Sequence, residues 1–228
     1  MRAAHAQGYP GGGGQMPGGH GMSQPQPGGE IPTSQSSEKP DAAARKAFKA
    51  GVKSLTKAHD FEEVAGKATN PEKKADALDK MNDAYGKALD QFTDALSNKG
   101  DMVEAWNYAA YVHLRLGAFN EAIDDYNHTL SLKPDLLEAV EGRAEAYVGT
   151  DRLEQAKAAY MDLFNHSPPL ADKLMAVMGT WLQSHREAAN GMRAADIDAF
   201  GKWLQEREGI AKQAAAATPA AAPASATR

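Results

Sequence analysis

Two consecutive stretches decide the fold: VEAWNYAAYVHLRLGAFNEAIDDYNHTLSLKPDL, residues Val103–Leu136, and LEAVEGRAEAYVGTDRLEQAKAAYMDLFNHSPPL, residues Leu137–Leu170. Set one above the other, they repeat with a period of 34 residues. Ala110 falls on Ala144, Phe119 on Leu153, Ala122 on Ala156, Tyr126 on Tyr160 and Pro134 on Pro168. Stepping back by the same period brings up Tyr85, Ala88, Phe92 and Ala95 in register, with Gly100 where the later units have proline. A fixed period of this length is the mark of a stacked repeat.

The spacing has a physical reason. In each unit the fourth, eighth and eleventh residues share one face of a first helix. The twentieth, twenty-fourth and twenty-seventh share one face of a second. Small residues at eight and twenty let the two helices approach closely, and the large residue at twenty-four fills the hole that this leaves. The proline ends the second helix. One such pair cannot bury both of its faces, so the units stack.

These residues resemble the tetratricopeptide-repeat family. The resemblance rests on Trp106, Ala110, Gly117, Phe119, Ala122, Tyr126 and Pro134, then on Ala144, Tyr147, Leu153, Ala156, Tyr160 and Pro168. It extends in part to 69–102, where only the second helix fits. Ala109 and Arg143 depart from it at a position that is usually large and apolar, and Asp151 stands where the turn glycine is expected.

Outward from the repeats, the periodicity predicts more helices. Ala44, Phe48, Gly51, Val52 and Leu55 share a face of a helix over 41–66, with Pro40-Asp41 as its stop and cap. Asn70-Pro71 starts another, carrying Leu78, Met81, Tyr85, Leu89, Phe92 and Leu96. Together they predict a long hairpin over 41–100. After Pro168-Pro169, the stripes Leu174, Val177, Met178, Trp181, Leu182 and Ile197, Phe200, Trp203, Leu204 predict helices over 171–210, with Asn190-Gly191 between them. These helices are expected to cap the open end of the stack, since apolar helical stripes normally face inward. A partner surface around the two tryptophans is the other reading.

The expected architecture is therefore all-α: an antiparallel helix-hairpin solenoid of tetratricopeptide repeats over 39–210, with capping helices and disordered tails. The tails are 1–38, rich in Gly, Pro, Gln and Ser, and 211–228, almost all Ala, Pro, Thr and Ser. Neither carries enough apolar surface to offset the entropy of ordering.

Several function classes are disfavoured. The net charge is −5 with both signs interspersed, so there is no basic field for nucleic acid. There is no apolar run of about 18 residues, hence no membrane span. Without cysteine there are no disulfides and no thiolate ligands or nucleophiles. The sequence contains no phosphate-binding glycine loop, no His-Glu-x-x-His and no nucleophile elbow. Its seven histidines are scattered, so no metal site and no cofactor are expected. Ala4-His5-Ala6 before Gln7 matches the small-x-small pattern at which signal peptides are cut, though no apolar segment precedes it. Chance is one reading. The other is the end of a signal, which places the chain in a bacterial periplasm or outside the cell. The alternative location is the cytoplasm.

What remains is binding. In the family that these repeats resemble, the first helix of each unit lines a concave groove and presents its second, fifth, sixth, ninth and twelfth residues to a ligand. Carried over, the resemblance implies a partner-binding groove of Glu104, Asn107, Tyr108, Tyr111 and Leu114, then Glu138, Glu141, Gly142, Glu145 and Val148. A solvated acidic face is the plainer reading of the three glutamates. Some members hold a partner's terminal carboxylate with Lys, Arg and Asn. Here only Asn107 fits, and the glutamates would repel a carboxylate. The expectation is a non-enzymatic protein-interaction scaffold or assembly factor, with no catalytic residues, that takes a protein or peptide carrying basic side chains. Two alternatives stand beside it: a self-associating structural repeat, and an accessory subunit of an envelope enzyme complex.

Overall fold

The computed structural model describes residues 35–187 and 194–217. All regular structure among them is helical: α1 (Gln35–Lys67), α2 (Pro71–Asn98), α3 (Val103–Arg115), α4 (Phe119–Leu132), α5 (Leu137–Gly149), α6 (Leu153–His166), α7 (Pro168–Glu187) and α8 (Ala194–Ala217). Consecutive helices pack as neighbours, and α3 also touches α5 while α5 touches α7. The result is a stack of helix hairpins, with α7 and α8 laid over its C-terminal end.

The starts and stops follow local chemistry. Asn70 caps α2: its side-chain oxygen accepts from the backbone N–H groups of Glu72 (2.8 Å) and Lys73 (3.0 Å), with Pro71 in the first turn. Each proline of the repeat lies just beyond a helix end. Pro134 follows the end of α4 at Leu132, and Pro168 follows the end of α6 and opens α7.

Two boundaries differ from the sequence reading. Pro40-Asp41 does not begin α1, which already runs from Gln35. Pro40 is the sixth residue of this helix, past the first turn, so it removes one backbone hydrogen bond, to the Ser36 carbonyl, close to the N-terminal end. Residues 211–217, expected to belong to the tail, are part of α8, which continues to Ala217. Its last residues are mainly alanine, the best helix former. Gly11–Gly14, the signal-like start, Asn190-Gly191 and the end beyond Ala217 lie outside the described residues.

The core is built from the residues at the repeat positions. Ala88, Ala110, Ala122, Ala144 and Ala156 have no exposed surface. The aromatics between them, Phe92, Tyr126 and Tyr160, are also buried. At the C-terminal end, Leu174, Met178, Trp181, Ile197, Phe200 and Leu204 join Tyr160 and Leu163 in one cluster. The tryptophan stripe therefore faces inward. Trp181 meets Phe200 edge-on at 5.4 Å, and Trp203 meets Tyr160 edge-on at 5.4 Å.

The turn between the two helices of a repeat shows why Asp151 replaces glycine. Gly117 has φ +75° and Asp151, its counterpart, has φ +59°. The left-handed conformation is costly for most side chains, and less so for Asp. Here the carboxylate offsets that cost. Its Oδ1 accepts from the Trp181 indole N–H (3.0 Å) and lies 3.5 Å from His185 Nε2, fastening the turn to α7.

Candidate functional site

A cleft of about 260 Å³ opens between α1, α3 and α5. It is lined by Asn107, Tyr108, Tyr111 and Leu114 of α3 and by Glu138, Glu141, Gly142 and Glu145 of α5. Leu55 and His59 of α1 and Tyr126 of α4 complete it. Spacings of three and four put each set on one face of its helix.

The structure thus brings together eight of the ten residues expected in a groove: Asn107, Tyr108, Tyr111, Leu114, Glu138, Glu141, Gly142 and Glu145. Glu104 is exposed and does not line the cleft. Val148 is buried at 2% exposure and faces the core instead.

The tyrosines are less free than expected. Tyr108 stacks on Phe92 at 5.5 Å with 17° between the rings, and touches Phe48 at 5.6 Å. Tyr111 shares a hydrogen bond of 3.0 Å with His59 Nε2 and meets that ring edge-on at 5.8 Å. The long helix α1 covers one side of both rings, so each is half-buried. The resemblance could not supply α1, because this helix lies outside the matched repeats.

Tyr126 was expected only as packing. Its ring is buried, yet its phenol end reaches the cleft because Gly142 stands opposite. A Cβ built on Gly142 would collide with the Tyr126 ring and hydroxyl. The pairing of a repeat aromatic with a glycine on the next helix was the sequence signal for this.

Electrostatics set the cleft apart from the rest of the surface. Burial pushes the Glu141 carboxyl above its ordinary range, helped by Glu145 and Glu138 and opposed by Lys173. Burial likewise raises Glu145, opposed by Arg115. Among the described residues neither carboxylate accepts a hydrogen bond or sits in an ion pair. Tyr111 is pushed up to about 12, first by burial and then by Tyr85, with Glu62 adding to it and Arg115 opposing. Tyr126 is also pushed up, by burial first and then by Glu141 and Glu145. Its hydroxyl stays protonated and can donate.

At the rim, the Arg115 guanidinium contacts the Glu62 carboxylate on α1, and the Tyr85 hydroxyl donates to the other Glu62 oxygen at 3.3 Å. The cleft therefore has an aromatic wall, an acidic wall with unpartnered carboxylates, and one arginine tied back at its edge.

No protein-family model matches the chain, and no curated protein matches it in sequence. Among solved structures it is similar to the TPR2B domain of yeast Sti1, in that domain's complex with pHsp70. The likeness covers 67% of this chain and 98% of that one, at 16% identity and a TM-score of 0.31. A similarity this distant says nothing about the partner of this chain.

Proposed function

We propose that the chain is a non-enzymatic protein-interaction scaffold that seats a basic side chain of a partner in the α1–α3–α5 cleft. One observation carries this reading: Glu141 and Glu145 are half-buried beside tyrosine rings and have no hydrogen-bonding or ion-pairing partner among the described residues. Half-burial beside apolar rings removes part of the water from these carboxylates, a cost that a cation beside them would offset. A lysine or arginine side chain supplies that cation, while its methylene stem can lie along Tyr108, Tyr111 and Leu114. The charge gives steering and selectivity, and the aromatic wall supplies burial.

The test uses labelled peptides of Ala and Ser carrying either two lysines or two glutamates. The full chain should bind the lysine peptide at least tenfold more tightly, with an affinity that falls as salt rises. Glu141→Lys with Glu145→Lys should abolish the preference while circular dichroism stays helical. Equal binding of both peptides by the parent protein refutes the reading.

A further inference from the structure

Arg115 is a cation placed to offset the charge of an acidic cleft. It lies one helical turn beyond Tyr111 on α3, and its field reaches Glu145 on α5. Yet its guanidinium is engaged with Glu62 of α1, beside the Tyr85 hydroxyl. Glu62 is itself held, since the Tyr85 hydroxyl donates to its second oxygen. Tyr85 has no exposed surface, so that anchor is fixed in the core. The Arg115 and Glu62 side chains are 35% and 40% exposed, which leaves the guanidinium room to swing if it is released. Arginine is long and carries several donors, so it will follow the better-placed carboxylate.

We propose that the Glu62–Arg115 ion pair is a latch that sets the charge of the cleft: by tying the guanidinium to α1, Glu62 keeps it from neutralising Glu145. Glu62 is then a positioning residue for recognition of a cation, although it does not line the cleft. This rests on the reading of the cleft given above. It also gives α1 a role beyond covering the tyrosines, because the helix next to the repeats decides how acidic their groove is.

The latch can be tested without a partner. The groups around Glu145 are Glu141 on its own helix, Tyr111 and Arg115 on α3, Tyr126 on α4, His59 on α1, and Lys173 on α7 beyond Glu141. The titration midpoint of the Glu145 carboxyl is followed by NMR in the full chain, and binding is read with the two-lysine peptide. Glu62→Gln should lower the Glu145 midpoint, as the freed Arg115 moves towards it, and should weaken the lysine peptide about fivefold. Arg115→Gln should raise the midpoint. Glu62→Gln with Arg115→Gln should restore binding to at least the parent level. Glu63→Gln removes the same charge one residue away, at an exposed site paired with Lys67, and should move neither readout.

An unchanged Glu145 midpoint in Glu62→Gln overturns the latch. If that variant fails to fold, Arg115→Gln decides: it leaves Glu62 in place, and an unmoved midpoint there overturns the latch equally. A midpoint that shifts as expected in a chain that ignores the lysine peptide supports the latch and refutes the basic partner instead.

Discussion

The repeats Val103–Leu136 and Leu137–Leu170 share a backbone plan and differ in what they place on it. At the sixth position the first has Tyr108, which lies flat on Phe92 of the preceding helix and fills the junction. The second has Gly142, and the corresponding aromatic, Tyr126, pushes its phenol end into the space. At the fifth and ninth positions the first has Asn107 and Tyr111, and the second has Glu141 and Glu145. At the turn the first has Gly117 and the second has Asp151, tied to Trp181. The positions that hold the helices together are kept alike, and the cleft arises where the two units diverge. One wall is aromatic and closed, and the other is acidic and opened by a missing side chain.

Breaking the closed junction should have the largest effect. Phe92 has no exposed surface and sits against Phe48 and Tyr108. Phe92→Ala removes the ring on which Tyr108 rests, at a cost of about 3–5 kcal/mol. Urea unfolding followed by circular dichroism measures this. A loss below about 1 kcal/mol would mean that the junction collapses freely and that Tyr108 is held by something else.

Closing the open junction comes next. Gly142→Val puts a branched side chain where even a Cβ meets the Tyr126 ring. Overpacking of this kind costs about 1–3 kcal/mol. It should also expel the Tyr126 hydroxyl from the cleft and weaken the lysine peptide. A stable variant that binds as the parent does would show that Tyr126 has no part in the cleft.

The two turns sharpen the comparison at a smaller scale. Gly117→Ala forces a side chain into the left-handed region and should cost about 1 kcal/mol. Asp151→Ala starts from a residue that already has a side chain at positive φ, so the added backbone cost is smaller than at Gly117. Its loss, about 1–2 kcal/mol, comes from the Trp181 indole N–H left without its acceptor. Asp151→Gly separates the two contributions, because relief of strain then offsets part of the lost hydrogen bond. If Asp151→Gly is as unstable as Asp151→Ala, the strain at φ +59° is negligible.

The repeat register was legible because small residues and aromatics recur where two helices must touch. Ala110, Ala122, Ala144 and Ala156 could be placed in the core from spacing alone. Spacing put Glu138, Glu141 and Glu145 on one face of a helix, and it was the family resemblance that implied that this face lines a groove. The state of the tyrosines was not legible. Whether Tyr108 and Tyr111 stand free depends on what lies across from them, and that is α1, which does not follow the repeat. Helical periodicity finds the buried face of α1 but cannot say which helix it covers. His59 and Glu62 were missed on that account. Glu104 fell outside the cleft for a related reason: position in a repeat gives direction, but the reach of the cleft depends on the neighbours.

The smallest expected effect bears on the acidic wall. Burial raises the folded-state pKa of Glu141 and Glu145 above the value each has in the unfolded chain. Between those two values the folded protein holds protons that the unfolded chain has released, so stability falls as pH rises through the window. Below the ordinary glutamate pKa both states are protonated, and the cost vanishes. Above the raised value both are ionised, and the full cost of two crowded carboxylates remains. Glu141→Gln with Glu145→Gln should therefore stabilise the unbound protein at neutral pH. Solvent reaches both groups and screens them, so the gain is no more than about 0.5 kcal/mol. The gain should shrink as pH falls through the window. The same variant should lose the lysine peptide, a trade of affinity for stability that a purely structural pair of glutamates would not show. Thermal melts of parent and variant across the acid range, without peptide, test the argument. If the variant is less stable than the parent at neutral pH, the two carboxylates are satisfied within the chain and the open wall is not open.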